Sequence, residues 1–155
     1  MKALSNRSVC AVLLVGIGFI VPNLGFPTNA QAQTATSCSD ATLQGTYVFS
    51  GTGYTGTAST PFALSGLEVF NGHGTSSGFV TAAVEGQSPS RTTFTSTYTV
   101  KSNCTLTETV TDSQGNIMHF DAFTGPAGDK ITVIETDPNV VFSNFEILAS
   151  GREQR

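Results

Sequence analysis

A chain of 155 residues with 12% charged side chains, 16 glycines and no tryptophan has room for one domain with a real core. Its formal net charge is −4 and its lysines and arginines never cluster, so an electrostatic footprint for nucleic acid is missing and an anionic membrane surface is disfavoured. Cys38 and Cys104 with two distant histidines lack the ligand spacing of a zinc site, and no cofactor signature is present.

The first residues read as a leader. Lys2 and Arg7 precede an apolar run from Val9 to Val21, Pro22 ends it, and Ala30-Gln31-Ala32 forms a small-residue cleavage signal. Together these are a secretory signal peptide over residues 1–32, too short in its apolar run to anchor in a bilayer. Cleavage before Gln33 discards Lys2 and Arg7, leaving five basic residues against 11 acidic ones, a net charge of −6. No membrane span remains, and the expected location is the periplasm or the medium. Export also exposes the two remaining cysteines, Cys38 and Cys104, to an oxidising compartment, so the expectation is a disulfide.

Residues 33–41 form a short polar lead-in, frayed at its start, to a domain over residues 42–150. The first strand, 43–50, puts Leu43, Tyr47 and Phe49 on one face, and 51–60 reads as a Gly/Thr/Ser connection. The second, 62–70, runs into Asn71-Gly72, a dipeptide whose tolerance of positive φ makes it a strong hairpin signal. A third strand covers 77–85. The fourth, 92–100, alternates Phe94, Tyr98 and Val100 with threonines, as suits a sheet with one dry and one wet face. Strands at 105–111, 116–123, 130–136 and 140–148 follow, divided by turns at Asp112-Ser113-Gln114-Gly115, Gly125-Pro126 and Asp137-Pro138-Asn139, before a polar tail at 151–155. No stretch carries a helical period. Eight short strands at hairpin spacing close best as an all-β, eight-stranded antiparallel up-and-down barrel, which removes both exposed edges; a β-sandwich is the alternative. A barrel of this size is filled by side chains or holds one small ligand.

Chemistry-bearing residues are few. No Gly-x-Ser-x-Gly elbow or phosphate loop occurs. Asp112 to Asn116 lacks the carboxylates of a calcium loop and reads as a turn, and Asn103-Cys104-Thr105 matches a glycosylation sequon whose cysteine is already assigned to the bridge. Glu68 shares a face with Leu64 and Phe70, Glu108 alternates with Leu106 and Val110, and Glu135 follows Ile131 and Val133. If those faces line the barrel, three carboxyls point inward beside Tyr47, Phe94 and Tyr98, with raised pKa values. Acidic side chains are seldom fully buried, so the favoured reading keeps each Glu at the rim, reaching solvent. His119 and Asp121 lie two apart on one strand face, expected as a surface pair. His73, Arg91 and Lys130 are expected to be exposed.

Cys38-Ser39-Asp40-Ala41-Thr42-Leu43-Gln44-Gly45-Thr46-Tyr47, Gly66-x-Glu68-x-Phe70-Asn71-Gly72-x-Gly74, Thr97-Tyr98-Thr99-Val100 with Cys104, and Thr136-Asp137-Pro138 form a pattern. It resembles a group of small exported bacterial proteins of unknown function, which is in turn similar to calycin-like barrels such as lipocalins and allene-oxide-cyclase-like proteins. The resemblance covers nearly all of the chain after the leader. The Gly-x-Trp of lipocalins is absent, and no catalytic residue carries over from the cyclases.

Three functions follow as expectations. The first is binding of a small apolar or amphipathic molecule, with Tyr47, Glu68, Phe70, Phe94, Tyr98, Glu108 and Glu135 as candidate ligand residues. The second is an isomerase or cyclase using an inward Glu as acid or base, and the third a structural or surface protein acting through its threonine-rich exterior.

Overall fold

Alternation of bulky and small polar side chains, interrupted every ten residues or so by Gly, Asn, Asp or Pro, is satisfied on both faces when the strands curl around a shared interior. The computed structural model describes residues 37–151, and the leader assigned to 1–32 lies outside the described residues. The strands are β1 (Gln44–Thr55), β2 (Thr60–Asn71), β3 (Thr75–Val84), β4 (Ser90–Val100), β5 (Thr105–Asp112), β6 (Ile117–Thr124), β7 (Lys130–Glu135) and β8 (Val140–Ser150). Each pairs antiparallel with the next, and β8 returns to β1, giving a closed up-and-down barrel rather than a sandwich. Among the described residues no helix is long and apolar enough to cross a membrane.

The connection expected over 51–60 is strand for most of its length. β1 pairs with β2 without a break from Gln44↔Asn71 to Thr55↔Thr60, and with β8 as far as Thr55↔Val140. Pairing on both sides overrides the weak strand propensity of the glycines there. The reversal after β2 spans Gly72, His73 and Gly74, one residue longer than an Asn-Gly hairpin. The Asn71 carboxamide oxygen accepts from the backbone N–H of His73 (2.7 Å) and Thr75 (3.2 Å), while Gly72 and Gly74 take positive φ.

One end of the barrel is closed. Cys38 and Cys104 form the expected disulfide, with their Cα atoms 5.0 Å apart. It holds a single 3₁₀ turn, Asp40–Thr42, and Leu43 across that end. From Cys38 onward this segment is tied down, while residues 33–36 lie outside the described residues: the Asp40 carboxylate accepts from Val100 N–H at 2.7 Å, and the Tyr98 hydroxyl donates to the Leu43 and Asp40 carbonyls. Below it, Leu43, Tyr47, Phe70, Tyr98, Leu106, Ala122 and Ile131 form a dry floor, with Tyr47–Phe70 and Phe70–Tyr98 rings meeting edge to face at 5.1 Å. Fully burying such side chains contributes about 1.5–3 kcal/mol each.

The outside is two-toned. Thr93, Thr95, Thr97 and Thr99 on β4 face solvent, whereas β8 exposes Val141, Phe145 and Ile147, flanked by Val48 and Ile134.

Candidate ligand cavity

Above the floor the interior changes character twice. The first change is a polar layer. Glu68 on β2, Ser76 on β3, Ser96 on β4, Glu108 on β5, and Asn144 and Glu146 on β8 are all buried and all point inward by the period-two rule. The second is an apolar chamber of about 280 Å³ that opens at the far end. Phe49, Leu64, Val80, Phe94, Val110 and Phe142 contribute to its walls, Glu68, Glu108, Asn144 and Glu146 border it, and Asp112 and Gln114 stand among its lining residues on the β5–β6 hairpin.

Space for the rings comes from glycine. A Cβ on Gly66 would lie 2.5 Å from the Phe49 ring, and one on Gly78 would lie 2.6 Å from the Phe94 ring. At both positions only hydrogen lets the ring lie flat across the strand.

The polar layer is acidic with no counterpart of opposite sign. Among the described residues the basic side chains Arg91, Lys101 and Lys130 are all exposed. Burial therefore drives the carboxyls toward their neutral form. Desolvation raises Glu68 well above the usual carboxylate range, and the negative charges of Glu108 and Glu146 raise it further. Desolvation also raises Glu108, against the opposing effect of hydrogen bonds from Glu68 and Ser96. Glu146 is pushed up to about 8 by burial and by Glu108. The Ser76 hydroxyl donates to Glu68 Oε1 and lies 2.5 Å from the Ser96 hydroxyl, extending the network around the wall. Glu108 Oε1, Asn144 Oδ1 and Glu146 Oε2 are buried without a hydrogen-bond partner. Buried polar atoms of this kind are rare in folded proteins and mark a site where another group can dock.

The structure sorts the candidate ligand residues. Glu68, Phe94 and Glu108 border the chamber; Tyr47, Phe70 and Tyr98 are packed into the floor beneath it, with Tyr47 donating to the Gly128 carbonyl. Rim placement fails for Glu68 and Glu108, which are 3% and 6% exposed, because each lies mid-strand and its parity turns it inward. Glu135 comes nearest to the rim reading: it ends β7 half-buried, and desolvation, with the Asp137 charge, raises it to about 7. Glu146, Asn144, Ser76 and Ser96 are additions. Glu146 has the same signal as Glu68 and Glu108, namely shared parity with Phe142 and Leu148.

His119 pairs with Asp137, not Asp121. Its Nδ1 lies 2.8 Å from the Asp137 carboxylate, which also accepts its backbone N–H at 2.7 Å, and the pair sits at the surface away from the polar layer. Asp112 is a turn residue as expected, accepting from Gln114 and Asn116. Among the described residues no group of three His, Cys, Asp or Glu is arranged to hold a metal ion.

No family model matches the chain, and no curated protein matches it. Among solved structures it is similar to a de novo designed fluorescence-activating β-barrel, with 12% identity and a TM-score of 0.44 over 68% of this chain and 93% of the designed one.

Proposed function

We propose that this is an exported binding protein that holds one small amphipathic molecule inside its barrel, apolar part in the chamber and polar part against the buried acidic layer. The observation that carries this reading is the juxtaposition of a 280 Å³ apolar chamber with unpartnered polar atoms at its base. At about 30 Å³ for each water-sized portion, the chamber suits a guest of roughly ten non-hydrogen atoms. Export is supported by the leader pattern and agrees with the Cys38–Cys104 bridge. Kinship with small exported bacterial proteins and calycin-like barrels belongs to the same proposal, supported by the eight-strand up-and-down closure.

The test is saturable binding of a fluorescent probe of matching size, 1-naphthol, to the purified protein. Filling the chamber with Val110→Trp, in a variant shown to fold by its near-ultraviolet circular dichroism, should abolish the signal. Undiminished binding by that variant would overturn the reading.

A second reading rests on the buried carboxyls themselves. A neutral carboxyl facing an apolar chamber is equipped to donate a proton to a bound polyene or epoxide, which is isomerase or cyclase chemistry. It predicts turnover that Glu68→Gln and Glu108→Gln remove while probe binding persists.

A further inference from the structure

The chamber reading leaves open what polar group its base accepts, and the unpartnered atoms narrow this. Glu108 Oε1 comes from β5, and Asn144 Oδ1 and Glu146 Oε2 from alternate positions of β8. All three are oxygens belonging to side chains 7% exposed or less, and all three side chains border the chamber. The Asn144 amide oxygen only accepts, and each carboxyl only accepts once its proton has left. A primary ammonium carries three N–H donors and a positive charge.

Resting on the binding function proposed above, we infer that the guest is a small primary amine, bound as its ammonium ion with the nitrogen between Glu108, Asn144 and Glu146 and its apolar body among the phenylalanines. Charge supports this independently of hydrogen bonding. Glu68, Glu108 and Glu146 repel one another, and among the described residues no basic side chain enters the interior to relieve them. The other groups near the layer are Tyr98 in the floor, Asp112 at the mouth and the half-buried Glu135, none of them cationic. The chain is also acidic overall, which favours encounter with cations.

The proton balance is explicit. In the unliganded layer Glu146 and at least one of its neighbours hold protons near neutrality. Docking of an ammonium favours the carboxylate form, so a carboxyl proton leaves to solvent while the ammonium keeps all of its own. No covalent bond changes.

The experiment compares three probes of one shape with the purified protein near pH 7: 2-phenylethylamine, 2-phenylethanol and 3-phenylpropionate. Affinity is read by calorimetry, and proton release by a pH electrode in weakly buffered solution. The amine should bind at least about tenfold more tightly than the alcohol, as a charge-assisted contact does over a neutral one. It should release close to one proton per molecule bound. The carboxylate probe should not bind. Glu146→Gln should weaken the amine by about tenfold, leave the alcohol unchanged and reduce the proton release. If that variant does not fold, the proton count on the unaltered protein decides. Equal binding of amine and alcohol without proton release, or preference for the carboxylate, overturns the amine assignment and leaves the cavity function standing. Failure of all three probes to bind overturns both.

Discussion

Glu68 and Glu108 meet in one buried polar layer although their strands, β2 and β5, are separated in the sheet by β3 and β4. Burial favours the protonated form of each, and the charge of Glu108 adds to this at Glu68. Closure of the barrel around them is therefore linked to the protonation of its interior.

Stability should consequently fall as pH rises. Glu146 has an ordinary value of 4.5 and a folded value of about 8, so between those limits the folded chain holds a proton that the unfolded chain has released. Stability is then complete below about 4.5, declines through the window and levels off above 8, with a span of several kcal/mol. Glu68 and Glu108 act in the same direction. Melting curves from pH 5 to pH 8.5 should show this decline, and Glu146→Gln should flatten it.

The disulfide closes a long loop, joining residues 66 positions apart. Replacing both Cys38 and Cys104 with serine should cost about 4 kcal/mol in urea unfolding. Because the bridge anchors the 3₁₀ turn, hydrogen exchange should speed up first at Asp40 to Leu43.

Tyr98→Phe removes a hydroxyl that donates at 3.2 Å to both the Leu43 and Asp40 carbonyls. The ring stays and packs as before, so the loss should be about 1 kcal/mol. The Asp40 carboxylate to Val100 bond still holds the turn.

Gly78→Ala brings a methyl within 2.6 Å of the Phe94 ring and 2.2 Å of the Leu67 carbonyl oxygen. The ring has to swing into the chamber. A destabilisation of about 1–3 kcal/mol is expected, together with weaker binding of the naphthol probe.

How much of this was written in the pattern differs from strand to strand. β4 was plain, because Phe94, Tyr98 and Val100 are buried and the intervening threonines exposed. The bridge was plain too, since the expected loss of the leader would leave Cys38 one partner. β8 was not: its outward Val141 and Phe145 are 71% and 67% exposed, while its inward Asn144 and Glu146 are buried. Read by hydropathy alone, that strand turns the wrong face to the core. Its neighbours fix its orientation, through pairings such as Ser50↔Phe145 and Val133↔Asn144 that periodicity does not encode. The His119–Asp137 contact was hidden for a similar reason, because it joins β6 to the turn after β7.

A floor closed by the disulfide-held turn and a chamber that opens at the far end give the barrel interior a direction. Under the proposed binding function, a guest's polar head is the first part to enter and the last to leave. The chemistry of the polar base would then govern how long it stays.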